Sequence, residues 1–304
     1  MTIHGVYPAL LTPFHESGSV NYDALEKHIE FLISKGVHGL FPLGTTGEGM
    51  LMSVGERKEV ARQVVRIAAG RLPVVIHVGD QTTVSTLELA RHAEEIGADG
   101  VSVVCPYFFP VDDEAIYMHY AAVAQSVSES FAVYAYNFPG NARNEISLSV
   151  LLKLIERHPN IRGLKSSSDN FSQLNQIINA TPEGFPIMLG PDQLFLAGLQ
   201  AGTAGGVSGN ANVFPEPFVQ AYRCFKEGRI EEARSLQKLI WALSDAMNNG
   251  LSMSHFKHAL ASRGFADSIV RAPLRNISEA EKLQMLEKLE QVKAQFDFQP
   301  GGAT

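Results

Sequence analysis

Ile161-Arg162-Gly163-Leu164-Lys165-Ser166-Ser167-Ser168-Asp169-Asn170 is the stretch on which the reading of this chain turns. Its first half is a short, mostly apolar run that reads as a β-strand. Its second half is a loop of small hydroxyl residues, and the following Phe171–Asn179 has helical periodicity. Lys165 stands at the junction. An ammonium group at the end of a buried strand is costly unless it is paired or loses its proton. A lysine made neutral by burial is a nucleophile that can form a Schiff base with a ketone. From position alone the residue could equally be a strand-end lysine reaching solvent or a neighbouring carboxylate. The chain's other lysines lie in segments that read as helices, mostly on polar faces.

The same strand–loop–helix unit recurs along the chain. β-rich runs are read at 5–12, 38–43, 74–78, 100–104, 132–137, 161–165, 186–189 and 205–208. Helical periodicity is read at 22–34, 53–69, 83–96, 113–126, 148–157, 171–179, 193–200 and 215–226. In the first helix Leu25, Ile29, Leu32 and Ile33 mark one face while Glu26, Lys27 and Glu30 mark the other. Asn21 caps that helix, and Ser53 with Glu56 forms a capping box for the next. Strands apolar on both faces, alternating with helices, point to an α/β protein with a closed parallel sheet, a (β/α)8 TIM barrel. An open doubly wound sheet is the alternative, but no G-x-G-x-x-G follows the first strand. The expected organisation is a barrel over 1–228, a C-terminal helical extension over 229–298, and a disordered tail at 299–304. Helices of the extension are read at 230–248, 252–262 and 278–296, the last opened by a Ser278–Glu281 capping box.

With 304 residues, 45% of them apolar, the chain can bury a large core. A net charge of −7 without any basic cluster argues against a nucleic-acid partner. No apolar run is long enough to span a membrane, and the N-terminus does not read as a signal peptide, so a cytoplasmic location is expected. Cys105 and Cys224 read as reduced packing residues, and His77 and His119 as packing or surface residues with no metal-ligand spacing nearby. Trp241, on an amphipathic helix, reads as core.

Barrel chemistry belongs where strands end. Gly44-Thr45-Thr46-Gly47-Glu48 follows the second strand; its glycines, hydroxyls and backbone N–H groups could hold a carboxylate, although many ordinary turns look alike. Tyr136-Asn137 closes the fifth strand. A tyrosine there is a packing residue or a proton relay. Gly205-Gly206-Val207-Ser208-Gly209-Asn210 closes the eighth, with small residues that admit a ligand close to the backbone.

Together with Gly5-Val6-Tyr7-Pro8-Ala9-Leu10-Leu11-Thr12-Pro13-Phe14, Tyr136-Asn137-Phe138-Pro139 and Gly163-Leu164-Lys165, these segments resemble the dihydrodipicolinate synthase / N-acetylneuraminate lyase family of Schiff-base pyruvate enzymes. The resemblance covers about residues 3–295. It implies a barrel with C-terminal helices, assembled as a homotetramer of tight dimers. It further implies that Lys165 forms the imine with pyruvate, that Tyr136 relays protons, and that Thr45 and Thr46 sit over the pyruvate carboxylate. Gly47 and the backbone at Val207 would lie close to substrate. No metal or organic cofactor is implied.

Two departures bear on substrate. Where dihydrodipicolinate synthases carry an arginine for the carboxylate of aspartate semialdehyde, this chain has Asn141, with Arg143 two residues further on. An amide lacks the charge and the fork of a guanidinium, so carboxylate capture should weaken unless Arg143 substitutes. Phe108 stands where many members have a tyrosine that reaches across the dimer, with Tyr107 adjacent. Asn141, Ser167 and Ser208 suit hydroxyl groups better than a second carboxylate. The expected function is an aldolase or lyase acting on a 2-keto-3-deoxy sugar acid or related 2-oxo acid. The runner-up is dihydrodipicolinate synthase itself, joining pyruvate to aspartate semialdehyde. A reading of another class is a non-catalytic barrel that binds a 2-oxo acid.

Overall fold

A computed structural model describes residues 2–266 and 268–301. Seven strands form one parallel sheet: β1 Gly5–Pro8, β2 Val75–His77, β3 Gly100–Val104, β4 Ala132–Asn137, β5 Ile161–Ser166, β6 Ile187–Leu189 and β7 Gly205–Ser208. Their order in the sheet is β1-β7-β6-β5-β4-β3-β2. The second of the eight expected strands, at 38–43, is not a regular strand but fills the gap between β1 and β2. Phe41 N donates to the Pro8 carbonyl and Leu10 N to the Phe41 carbonyl on one side; on the other, Val75 N donates to the Leu40 carbonyl. The ladder is reduced to single bridges at Ala9–Phe41 and Leu40–Val74. Pro42 and Pro73 are the reason, since neither has an N–H to donate. The sheet is therefore closed, and the barrel expectation holds.

Helical periodicity was legible almost to the residue, as in Tyr22–Ser34, Asp113–Ser126, Leu148–Arg157 and Pro215–Lys226. Asn21 accepts from Ala24 N, and both Ser53–Glu56 and Ser278–Glu281 close as capping boxes. A short helix at Pro139–Ala142 was not anticipated. Tyr7, Ala9, Phe41, Val75, Tyr134, Met188 and Val207 fill the barrel interior. At Gly205 any side chain would collide with the Gly5 carbonyl, its Cβ coming within 1.9 Å of that oxygen, so glycine permits the β1–β7 approach.

After the barrel, helices at Ile230–Ala246, Met253–Ala261 and Glu279–Gln295 share a core with Leu11, Val213 and Phe214. The extension is thereby fastened beside the C-terminal ends of β1 and β7, at the rim where chemistry is expected. Trp241 corrects its sequence reading: it is 54% exposed, because Leu239, Ile240 and Leu243 turn the buried face of that helix away from it. Of the tail expected to be disordered, residues 299–301 are described, with Arg263 donating to the Gly301 carbonyl; residues 302–304 lie outside the described residues. Among the described residues no helix is long and apolar enough to cross a membrane.

Candidate active site

Tyr136 on β4 and Lys165 on β5 are register partners, so their side chains leave the sheet on the same face. The Lys165 Nζ lies 4.0 Å from the centre of the Tyr136 ring and 4.1 Å from that of Phe41. Lys165 is 6% exposed. The aromatic faces favour an ammonium ion, but loss of hydration acts the other way and prevails: burial lowers the pKa to about 7. The amine is thus substantially neutral at physiological pH, and the alternative of a solvent-reaching lysine is excluded.

The Tyr136 phenol is pushed up to about 12 by burial, against the opposing pull of hydrogen bonds with Ser167 and Thr45. Its oxygen is 3.3 Å from Ser167 Oγ. The group stays protonated and can hand that proton to a neighbour. Thr45 stands at the open side of the site and Thr46 is buried beneath it. The turn that carries them is bracketed by left-handed Leu43 and Glu48, at φ 65° and 55°. Thr12 Oγ1 donates to the Gly47 carbonyl across 2.8 Å, and a Cβ at Gly47 would meet the Leu10 carbonyl at 2.7 Å. Gly47 is required for packing against the end of β1, which aims the two threonines.

A cavity of about 270 Å³ is lined by Thr45, His77, Tyr107, Tyr136, Phe138 and Asn141, among others. It shares Thr45 and Asn141 with a larger groove of about 680 Å³ along the C-terminal helices. Arg143 lines neither. It caps the Pro139–Ala142 helix at φ 62° with its side chain exposed, outside the lining of both spaces. Asn144 ties down the 106–111 loop, its amide donating to the Pro106 and Phe109 carbonyls. Tyr107 donates its hydroxyl to Met50 Sδ, not to Tyr136 or Thr45. Phe108, at φ 76°, is 72% exposed.

Val207 belongs to the barrel interior just below the mouth. Ser208 is a different case from the one its sequence suggested. Its hydroxyl donates to Asp192 at 2.8 Å and accepts from Ala211 N at 3.0 Å, so it is engaged within the protein. Asp192 itself escaped the sequence reading, because Gly190-Pro191-Asp192 looks like an ordinary turn before a helix. It is buried, and burial raises its pKa to about 6 in spite of the Asn210 and Ser208 hydrogen bonds. Its charge is what opposes deprotonation of Lys165.

Asp192→Asn keeps the shape and removes that charge. The midpoint for imine formation should therefore move below about 7, as measured by the pH dependence of borohydride trapping. A midpoint that stays put or rises would disprove the coupling. Three further residues were given no role from sequence: His77 at the end of β2, which lines the cavity, and the buried Glu48–Lys257 pair. Among the described residues no group of three or more His, Cys, Asp or Glu side chains could hold a metal ion.

Barrel, lysine and tyrosine together define a β/α-barrel protein with a nucleophile-competent amine at its mouth. The model of the Dihydrodipicolinate synthetase family matches residues 2–292, and the chain belongs to that family. Its members are aldolases and lyases, which makes this chain an enzyme of that kind. An uncharacterized DapA-like lyase of Halobacterium salinarum is 39% identical over 280 residues, 92% of this chain and 91% of that protein. The 4-hydroxy-tetrahydrodipicolinate synthase of Acidiphilium cryptum is 35% identical over 282 residues, 93% and 96% of the two chains. The crystal structure of YagE, a prophage protein of the dihydrodipicolinic acid synthase family from E. coli K12 in complex with pyruvate, superposes with a TM-score of 0.91 at 27% identity. That match covers 96% of this chain and 99% of YagE.

Proposed function

We infer that the protein is a Schiff-base pyruvate aldolase that cleaves or forms a 2-keto-3-deoxy sugar acid or related 2-oxo acid. The observation that carries this reading is a half-neutral Lys165 packed on Tyr136, beside a cavity whose lining includes no arginine. Among the described residues that line it there is no lysine or arginine to meet a second carboxylate, whereas Asn141 and Thr45 can meet hydroxyl groups.

The Lys165 amine adds to the C2 ketone. Tyr136 protonates the departing hydroxyl, which leaves as water and gives the iminium. The Tyr136 phenolate, a strong base because of its raised pKa, then takes the C4 hydroxyl proton. The C3–C4 bond breaks, its electrons flow into the iminium, and an aldehyde departs from the enamine. Tyr136 returns the proton to C3, and water releases pyruvate from Lys165. Thr45 and Thr46, with the turn's backbone at Gly47, hold the carboxylate. Pyruvate as the common partner is supported by the complex of YagE, which shares this fold.

The exposed neighbours Phe108 and Phe109 beside the mouth support an assembled state, which we take to be a homotetramer of tight dimers acting in the cytoplasm.

The test is borohydride reduction with pyruvate followed by peptide mass spectrometry, then a pyruvate-release assay on a panel of 2-keto-3-deoxy sugar acids. An adduct on Lys165 with release from one of the panel is expected; trapping without any release would sink the substrate assignment. The 4-hydroxy-tetrahydrodipicolinate synthases among the relatives favour a second reading. Condensation of pyruvate with aspartate semialdehyde at ordinary metabolic turnover would establish it and overrule the argument from Asn141.

Tyr136→Phe keeps the ring under Lys165 and removes the proton. We expect kcat to fall by roughly 10²–10³-fold with little change in KM. Steady-state kinetics check this, and a fall below tenfold would assign the relay to water.

A further inference from the structure

We propose that His77 is the specificity-determining residue of the aldehyde side of the pocket, hydrogen-bonded to a neutral hydroxyl of the substrate beyond the bond that breaks. The proposal rests on the preceding reading of the site as a sugar-acid aldolase.

His77 ends β2, and its side chain turns inward because Val75, two residues earlier, belongs to the barrel interior. The imidazole is 3% exposed and lines the same cavity as Thr45, Tyr136 and Asn141. It stands edge-on to the Tyr136 ring, with centroids 5.9 Å apart at 89°, and tilted against Phe41 at 6.3 Å. The strand end that carries it is held from behind. Arg57, fully buried, donates to the His77 and Gly79 carbonyls at 3.1 and 3.0 Å and pairs with Asp80 at 2.9 Å.

Among the described residues neither ring nitrogen of His77 meets a partner in full hydrogen-bond geometry, a loose backbone contact with Leu43 apart. The Leu43 carbonyl exerts the one pull that favours its proton, while burial and the charges of Arg57 and Lys165 hold the ring neutral. Its register partner on β3, Ser102, is also buried with an unpartnered hydroxyl. Two poorly satisfied buried polar groups on neighbouring strands, one of them lining the cavity, are a cost that a simple packing role leaves unexplained.

A neutral imidazole offers one donor and one acceptor, and a hydroxyl offers the same in return. A carboxylate is an acceptor only and would bring a charge to a cavity whose described lining contains no lysine or arginine. The chemistry that satisfies His77 is therefore a hydroxylated, uncharged aldehyde portion. Nothing in this depends on the imine itself, which forms at the other end of the substrate.

The test compares two substrates that share C2, C3 and the C4 hydroxyl. One is 2-keto-3-deoxygluconate, hydroxylated at C5 and C6; the other is 4-hydroxy-2-oxopentanoate, which ends in a methyl group. The readout is the ratio of their kcat/KM values in the unsubstituted protein, in His77→Leu and in His77→Gln. Borohydride trapping with pyruvate reports in each case that the variant has folded. In His77→Leu the ratio should fall by roughly 10–100-fold, because a substrate hydroxyl is left unsatisfied in a dry pocket. In His77→Gln, where the amide nitrogen and oxygen can take over, part of the ratio should return. An unchanged ratio overturns the proposal, as does an equal loss on both substrates, which is the mark of a structural role. If the unsubstituted protein cleaves neither substrate, the functional reading fails and the assignment of His77 fails with it. If it cleaves both and the ratio ignores His77, only the assignment fails.

Discussion

Replacing Lys165 by methionine or alanine abolishes the trapped pyruvate adduct and lowers turnover by at least about 10⁴-fold, since no other amine is placed to do its chemistry. Among the described residues Lys257 is the one other lysine buried to a similar degree, and its Nζ is held 2.6 Å from Glu48 and within bonding distance of the Ile269 carbonyl. An adduct on Lys257 in the Lys165→Met protein would overturn the assignment. Binding alone separates the remaining alternative: a mere 2-oxo acid receptor would keep its affinity without Lys165, while an enzyme loses the covalent contribution. The same variant carries a stability signature. The native Lys165 loses its proton at about 7 and the unfolded chain only near the ordinary lysine value of 10.5. Between these values the unfolded state binds more protons, so stability of the unsubstituted protein rises with pH across that window. Lys165→Met lacks the dependence and should gain most over the unsubstituted protein below pH 7. Thermal unfolding at pH 6 and pH 9 measures it, and equal differences at both would contradict a buried, depressed lysine.

That Lys165 stood out in the sequence at all reflects a general asymmetry. A charged residue ending an apolar strand violates the local pattern, and violations of pattern mark sites more reliably than patterns do. Tyr136 was legible for the same reason. His77 offered the same signal, a polar group closing a buried strand, yet a single histidine is so often a packing residue that the signal was discounted. The barrel was legible because parallel strands buried on both faces and amphipathic helices have distinct periods. Its one irregular strand was not, since Pro42 and Pro73 remove donors without altering the hydrophobic run.

Asp192 and Ser208 show a different limit. Each reads correctly as a strand-end polar residue, but whether Ser208 faces a ligand or Asp192 is decided by a hydrogen bond between two separate βα loops. The departure at Asn141 was readable from one position; that Arg143 is exposed and lines neither the cavity nor the groove was not. Lys257 was hidden most completely. It lies on a helix whose other face is only half-buried, and its partner is in the turn after the second strand segment, most of the chain away.

Breaking that partnership should have the largest effect on the fold. Glu48 and Lys257 are buried as a pair, with side-chain exposures of 0% and 2%. Glu48 also accepts from Arg271 N at 2.8 Å. Phe14 lies between two cations, 4.3 Å from Lys257 Nζ and 4.4 Å from the Arg271 guanidinium. Arg271 in turn bonds the Gly18 and Leu51 carbonyls. The C-terminal extension thus grips the turn that carries Thr45 and Thr46. Lys257→Met leaves an ionised Glu48 buried without its cation, a loss of about 3–5 kcal/mol. Glu48→Gln alone strands the ammonium in the same way. The double variant Glu48→Gln/Lys257→Met removes both charges and should recover most of that loss, a coupling that denaturant unfolding of all four proteins would measure. Recovery of stability need not bring back function. Because Glu48 directly continues the Gly44–Gly47 turn in left-handed conformation, we expect the double variant to bind pyruvate several-fold more weakly, with its trapped adduct still on Lys165. If each single variant loses under about 1 kcal/mol, the pair is solvated and the extension has no hold on the site.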